Sequence, residues 1–493
     1  MEMDEEFIQY VERVENLNEI IGILHWDQEV MMPIDGINAR AMQISTLSSM
    51  RHELIVDERL GELIKKEAGR KNEEEKAIHR EIKRLHERAS LVPAELVKEL
   101  SQLTSRAFPI WVESKQKADF RNFEKSLRLI IEKKREMANC IDREKDPYEV
   151  LVEDYEPYLS LSSMEQILSE LKDSLIPLIE EIRERGKAVE EAFGDSFDIQ
   201  DQKYLSEDVL NLVGYDWQRG RLDTSPHPFS MGNVFDARIT TRFEEEDIVG
   251  GLLSTIHEFG HSLYTLSLPS EHYGTPLCGD MGMIIHESQS RFWENHVGKS
   301  LSFWESILPI IKVRFPKTKL GNVEHIYRSV NRVKLQNPIR VNADELTYHL
   351  HIIIRYEIES ALIRQELQTS EIPAMWNEKM EEYLGITPEN DSVGCLQDIH
   401  WSHGSFGYFP TYSIGSILAA QINHCIEREV GNLEDLIRRG DYNSLKEWLN
   451  KNIHSHGGKY TTPELIKKAT GEDIKIDYFI QYINEKYSNI YEI

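Results

Sequence analysis

The chain is short of cysteine, of proline and of positive charge, and each shortage narrows what the protein can be. Four cysteines among 493 residues (Cys140, Cys278, Cys395, Cys425) stand far apart with no CxxC spacing. That excludes a disulfide frame and reads as reduced thiols in a cytoplasmic protein. Only 17 prolines interrupt a sequence rich in Glu and Lys, so helix is the expected majority. No uninterrupted apolar run reaches the length of about 18 residues that a membrane span needs. The acidic opening MEMDEEFIQY has neither the basic start nor the apolar stretch of a signal peptide. With 57 Lys and Arg against 85 Asp and Glu, the formal charge of −28 argues against nucleic acid or an anionic membrane as a partner.

What the chain does contain is amphipathic helix. From residue 5 to about 190 one helical pattern follows another; in SSMEQILSELKDSLIPLIEEIRERG, Met164, Ile167, Leu168, Leu171, Leu175 and Leu178 recur at helical spacing. The charge-dense stretch 65–90 reads as a solvated helical surface. Between about 220 and 243 the texture changes to loop and then a β-branched run, predicting a strand from Asp236 to Phe243. The acidic EEED (244–247) then opens a helix, with its charges on the positive end of the dipole. Helices resume after 280, broken by a Gly- and aromatic-rich loop at 394–412. With no repeat and no evident linker, one mainly α domain over 1–493 is expected. It has a helical part at 1–220, a chemistry-bearing part at 221–493 and a small sheet beside the central helix.

That central helix carries STIHEFGHSLY (254–264). Residues i and i+4 share a helical face, so His257 and His261 can bind one ion through neutral imidazoles. Glu258, rotated by about 100°, borders the ion without being forced to ligate it, which suits a general base acting on a metal-activated water. A catalytic metal needs a third protein ligand. Glu287, 26 residues past His261 in GMIIHESQSRFWENHVG, is the preferred candidate, with His286 as its competitor. The strand before the helix, if it lies at a sheet edge, could hold an extended peptide by main-chain hydrogen bonds.

These residues, with others, resemble the HExxH metallocarboxypeptidases of the carboxypeptidase Taq type. The resemblance covers HPF (227–229), DARIT (236–240), HEFGH (257–261) and HESQSRFWEN (286–295). It continues through IRVNADELTYHLH (339–351), GCLQDIHW (394–401) and GYFPTY (407–412), and includes LHWDQEVMMP near the start and IHSHGGKYTTPELIKKATGE near the end. It implies a two-lobed, saddle-like helical body around a deep groove, one divalent metal (zinc, or cobalt), a homodimer, and release of single residues of broad identity from peptide C-termini. It assigns His257, His261 and Glu287 to the metal and Glu258 to the base.

A donor for the developing oxyanion is sought in Tyr408 or Tyr412, with His400 as a further candidate. The Gly-rich loop HGSFGYFP could swing a phenol over the metal. An exopeptidase must also read the free carboxylate, which a bidentate arginine does best. Arg340 is the first choice, because its motif lies at the closed end of the family's groove. Arg238 and Arg355 are rivals, although Arg355 could simply pair with Glu359 at i+4. His349 and His351 cannot share a helical face, so a second metal there is not expected; His351 stays a candidate groove residue. His454 and His456, beside a glycine turn, read as a surface loop, and Asp280 is a candidate for orienting a ligand.

Overall fold

A computed structural model describes residues 3–279 and 281–493; Asp280 lies outside the described residues. The chain is a mainly α body with one small three-stranded sheet. The predicted helix around Met164 runs from Leu161 to Arg185 and buries Met164, Leu168, Leu171, Leu175 and Leu178 along one face. The charge-dense stretch divides into helices Glu58–Lys66 and Glu73–Leu91, the second burying Ala77, Ile78 and Ile82. Among the described residues no helix is long and apolar enough to cross a membrane.

Two cores form. The large one draws on residues from Ala107 to Tyr491, so the parts before and after residue 220 share it. The small one joins Phe7, Val11, Leu60, Leu63, Ile64 and the buried face at Ala77–Ile82 to a single distant residue, Leu277. The first two helices, Glu5–Val30 and Ile37–Ile55, pack against each other, and the second buries only Ile55. Polar contacts tie the first to the sheet and to the turn at residue 273: Glu19 Oε2 accepts from Asn233 Nδ2 at 2.8 Å and Tyr273 OH at 2.6 Å.

The sheet consists of β1 (Leu222–Thr224), β2 (Ser230–Asn233) and β3 (Asp236–Thr241) in the order β1-β3-β2. β1 pairs with β3 in parallel and β2 pairs with it antiparallel. The predicted strand is therefore the central one, not an edge. Its Ile239, Thr240 and Thr241 are buried, and two short flanking strands satisfy its backbone on both sides. The exposed edges belong to β1 and β2. Asp247, the last of the acidic run, caps the next helix by accepting from Gly250 N at 2.8 Å.

Candidate metal centre and cleft

The Ile248–Leu266 helix is apolar on nearly every side and lies at the centre of the body, against β2, β3 and the Met283–Arg291 helix. Its depth sets the chemistry of HEFGH. Among the described residues, His257, His261 and Glu287 form the cluster able to hold an ion, their donor atoms within 4.8 Å of one another. Glu287 Oε2 stands 3.8 Å from His257 Nε2 and 3.5 Å from His261 Nε2.

Each donor is braced from behind. Glu294 Oε2 lies 2.8 Å from His257 Nδ1, which fixes the proton there and leaves Nε2 for an ion. His286 Nδ1 lies 2.5 Å from His261 Nδ1, so the rival for the third ligand position instead braces the second histidine. Arg291 Nε donates to Glu287 Oε1 at 2.6 Å, its NH1 donates to Glu294 Oε2 at 3.0 Å, and Ser290 Oγ donates to Glu287 Oε2 at 3.1 Å. Glu287, Ser290, Arg291 and Glu294 follow helical spacing, and the helix passes into a π-helical turn at Phe292–Gly298, a distortion common at functional sites.

Two glycines let this helix come close enough. A Cβ on Gly260, inside HEFGH, would stand 2.6 Å from the Gln289 carbonyl oxygen and 2.7 Å from Ser290 Cα. A Cβ on Gly415, in the Phe409–Glu429 helix, would stand 2.7 Å from Glu287 Cβ. The ligand helix is thus pinched between two others with no room for a methyl group at either crossing.

Electrostatics suit His261 and Glu287 as donors. Burial lowers His261 to about 3, keeping its imidazole neutral. For Glu287 burial pushes the other way, but Arg291 and His257 overcome it and hold the carboxyl well below its ordinary range. Two imidazoles, one ionised carboxylate and an adjoining cavity are the donor pattern of a catalytic divalent metal that keeps one position open. Glu258 stands apart. It is 6% exposed, burial pushes it up to about 7, and its Oε2 has no hydrogen-bond partner.

A cleft of about 790 Å3 opens beside His257, lined among others by Arg291, Glu294, Arg340, Tyr348 and Tyr412. Tyr412 and Tyr408 lie edge to face, 4.9 Å between ring centres, and His400 stacks on Tyr408 at 5.8 Å. Burial raises Tyr408 to about 12 and pushes Tyr412 well above its ordinary value, so both phenols keep their protons. The Gly-rich loop ahead of them is anchored by a buried carboxylate. Glu359 accepts from Tyr148 OH at 2.6 Å, Gly407 N at 3.0 Å and Trp401 Nε1 at 3.1 Å. Gly407 has φ +89°, and a Cβ there would stand 2.7 Å from Val152 N.

Of the three candidate arginines, the cleft receives Arg340. Its Nε donates to Asp398 Oδ1 at 2.9 Å and its NH1 to Tyr348 OH at 3.4 Å, while its backbone N donates to Gln397 Oε1 at 2.8 Å. Arg355, expected to pair with Glu359, turns instead to Asp398 Oδ2 at 2.5 Å and is fully buried. Glu359 is already committed to the anchored loop. Arg238 ion-pairs with Asp236 at 2.6 Å and covers the Trp26 ring at 4.4 Å, in a separate small pocket beside the first helix.

The remaining histidines serve packing. His349 Nδ1 lies 3.0 Å from Ser413 Oγ. His351 is fully buried and does not line the cleft. His454 was expected on the surface, yet it is buried with Nε2 2.9 Å from Gln289 Oε1; His456 is half-buried. Sequence reasoning passed over Arg291, Glu294, Tyr348 and Asp398. Helical spacing from Glu287 was a signal for the first two. Tyr348, whose ring lies 4.6 Å from the Arg291 guanidinium and 6.0 Å from that of Arg340, had none.

A paired-histidine helix, a carboxylate braced beside it, a buried glutamate with one unpartnered oxygen and an adjoining cleft define a metal-dependent hydrolase. Comparison with known proteins narrows the class. The carboxypeptidase Taq (M32) metallopeptidase family matches residues 6–487. Thermostable carboxypeptidase 1 of Pyrococcus furiosus is 39% identical over 477 residues, covering 94% of each chain. Carboxypeptidase 1 of Bacillus subtilis is 36% identical, covering 99% of this chain and 98% of its own. The crystal structure of the M32 carboxypeptidase of Deinococcus radiodurans superposes with a TM-score of 0.95 at 32% identity, over 99% of both chains. The chain belongs to the M32 family of metallocarboxypeptidases, and its activity is that of a metal-dependent carboxypeptidase.

Proposed function

We propose that the protein removes single residues of broad identity from peptide C-termini, with His257, His261 and Glu287 holding one zinc ion, or cobalt, and Glu258 as the base. The observation that carries this reading is the contrast inside HEFGH: His257 and His261 face a common carboxylate, while Glu258 Oε2 is buried and has no partner. When bound, the ion supplies Lewis-acid polarisation of the scissile carbonyl and acidifies water. Glu258 takes the proton of the attacking water at Oε2 and returns it to the leaving amine. Tyr412, on the cleft wall, donates its phenolic hydrogen bond to the developing oxyanion; Tyr408 supports it from behind, and His400 supports Tyr408. Arg340 binds the terminal carboxylate, whereas Arg238, locked to Asp236 and Trp26, reaches the first helix instead. The homodimer and the cytoplasmic setting rest on the family and on the four dispersed thiols.

The deciding experiment is a mass-spectrometric time course on an N-acetylated peptide of about ten residues with metal-loaded protein. A ladder losing one C-terminal residue at a time is expected, and Glu258→Gln abolishes it. Internal cuts would overturn the exopeptidase reading, and a ladder that persists in Glu258→Gln would remove Glu258 as the base.

A further inference from the structure

Two of the motifs in this chain, 339–344 and 394–401, are built into one another. Arg340 is held at its backbone N by Gln397 and at its guanidinium by Asp398, so adjacent side chains of the second motif fix both ends of one residue of the first. Asp398 is shared. Arg340 Nε and NH2 reach its Oδ1 at 2.9 and 2.8 Å, and Arg355 Nε reaches its Oδ2 at 2.5 Å. Arg355 is fully buried; its NH1 donates to the His351 carbonyl oxygen at 2.6 Å, its NH2 has no partner, and its guanidinium lies over the Trp376 ring at 4.6 Å. Only Arg340 and the rings of Tyr348 and Tyr412 carry this cluster to the cleft. Burial opposes ionisation of Asp398, but its two arginines hold it far below the ordinary carboxylate range. Burial lowers Arg355 only to about 10, so at neutral pH all three groups are charged.

The charges do not cancel. A lone Arg340–Asp398 pair would be neutral and would offer an incoming carboxylate hydrogen bonds without net attraction. Two arginines on one aspartate leave a single positive charge, and the only member open to the cleft is the guanidinium placed to meet an anion. We propose that Arg355 is a positioning residue acting through Asp398: it keeps the Arg340–Asp398–Arg355 cluster behind the carboxylate-binding end of the cleft at one net positive charge, and thereby sets the preference for a free C-terminal carboxylate over a neutral terminus. The proposal rests on the reading of the chain as a carboxypeptidase whose Arg340 binds that carboxylate.

The test compares kcat/KM for one N-acetylated peptide as its free acid and as its C-terminal amide, using the metal-loaded full chain. Arg355→Gln makes the cluster neutral. Its acid-to-amide ratio is expected to fall at least about tenfold, through KM with kcat little changed, while circular dichroism and metal content stay those of the wild type. The double variant Arg355→Gln/Asp398→Asn restores one net charge on Arg340, and its ratio should recover to within about threefold of the wild type. A purely structural role predicts the opposite order, with the double variant the worse of the two. A folded Arg355→Gln with an unchanged ratio, or a double variant poorer than the single, overturns the proposal. Should Arg355→Gln fail to fold, the double variant decides alone, and failing that Arg355→Lys, which keeps the charge: a ratio within about threefold of the wild type supports the proposal and a tenfold loss overturns it. A wild type that cuts acid and amide equally, or internally, defeats the carboxypeptidase reading itself, whatever Arg355 does.

Discussion

Glu287 and Glu359 are both carboxylates sealed inside the same helical body, yet one is hydrogen-bonded by a cation and the other only by neutral donors. Glu287 receives the Arg291 guanidinium and faces two imidazoles, and it is held ionised. Glu359 receives a phenol, an indole and a backbone amide, and burial pushes it up to about 7. Three good hydrogen bonds do not offset desolvation as a formal cation does. The first environment keeps a carboxylate available to an ion. The second makes a clip that fixes the loop ahead of Tyr408 and Tyr412 in place.

The comparison can be broken from either side. The largest effect should come from Glu258→Gln, which removes the one acid in the centre with a free oxygen: kcat should fall about a thousandfold or more with metal stoichiometry unchanged by elemental analysis. If activity survives, the unpartnered atom is not the base. Next come the braces. Arg291→Met leaves Glu287 desolvated without its cation, and Glu294→Gln loosens the proton on His257 Nδ1; each should weaken metal binding about 10- to 100-fold in chelator competition. Gly415→Ala forces a methyl group against Glu287 Cβ and should cost about 1–3 kcal/mol in denaturant unfolding, with weaker metal retention.

The last effect concerns Glu359, leaves the metal centre untouched and depends on pH. Its folded-state pKa, about 7, lies above the ordinary carboxyl value of 4.5, so the folded chain binds the extra proton between the two. The stability linked to that proton is full below about pH 4.5 and lost as pH rises toward 7, on the order of 3 kcal/mol. Unfolding measured across that range should show a shallower decline for Glu359→Gln than for the wild type. Parallel curves would mean that Glu359 stays ionised and that the two buried carboxylates are alike after all.

How much of this was legible in the sequence follows from the kind of signal each residue carries. The trio that could hold an ion was readable as a cluster because helical geometry forces His257 and His261 together and the family spacing points to Glu287. The helical bulk was readable from periodicity, and β3 from its β-branched run. β1 and β2 were missed because strands of three and four residues carry too little pattern to stand out from loop. Arg355 shows the limit of local rules: i+4 spacing offered Glu359, but burial on all sides let a partner 43 residues away, Asp398, win. His454 was misplaced because Gly457 and Gly458 read as a surface turn. Those glycines mark close approach instead, since a Cβ on either would stand within 2.0 Å of the carbonyl oxygens of Leu277 and Pro276.

The small core has a consequence for how the molecule opens. Its members come from the first ninety residues except Leu277, which sits six residues before the helix that carries Glu287. With so few apolar contacts, this lobe should exchange its amide hydrogens through a local opening that costs less than global unfolding. Because Leu277 belongs to it, each such excursion slackens the lead-in to the ligand helix. Metal loss and N-terminal exchange would then share one rate-limiting event, and the first helices would serve as a clasp on an ion as well as a wall of the protein.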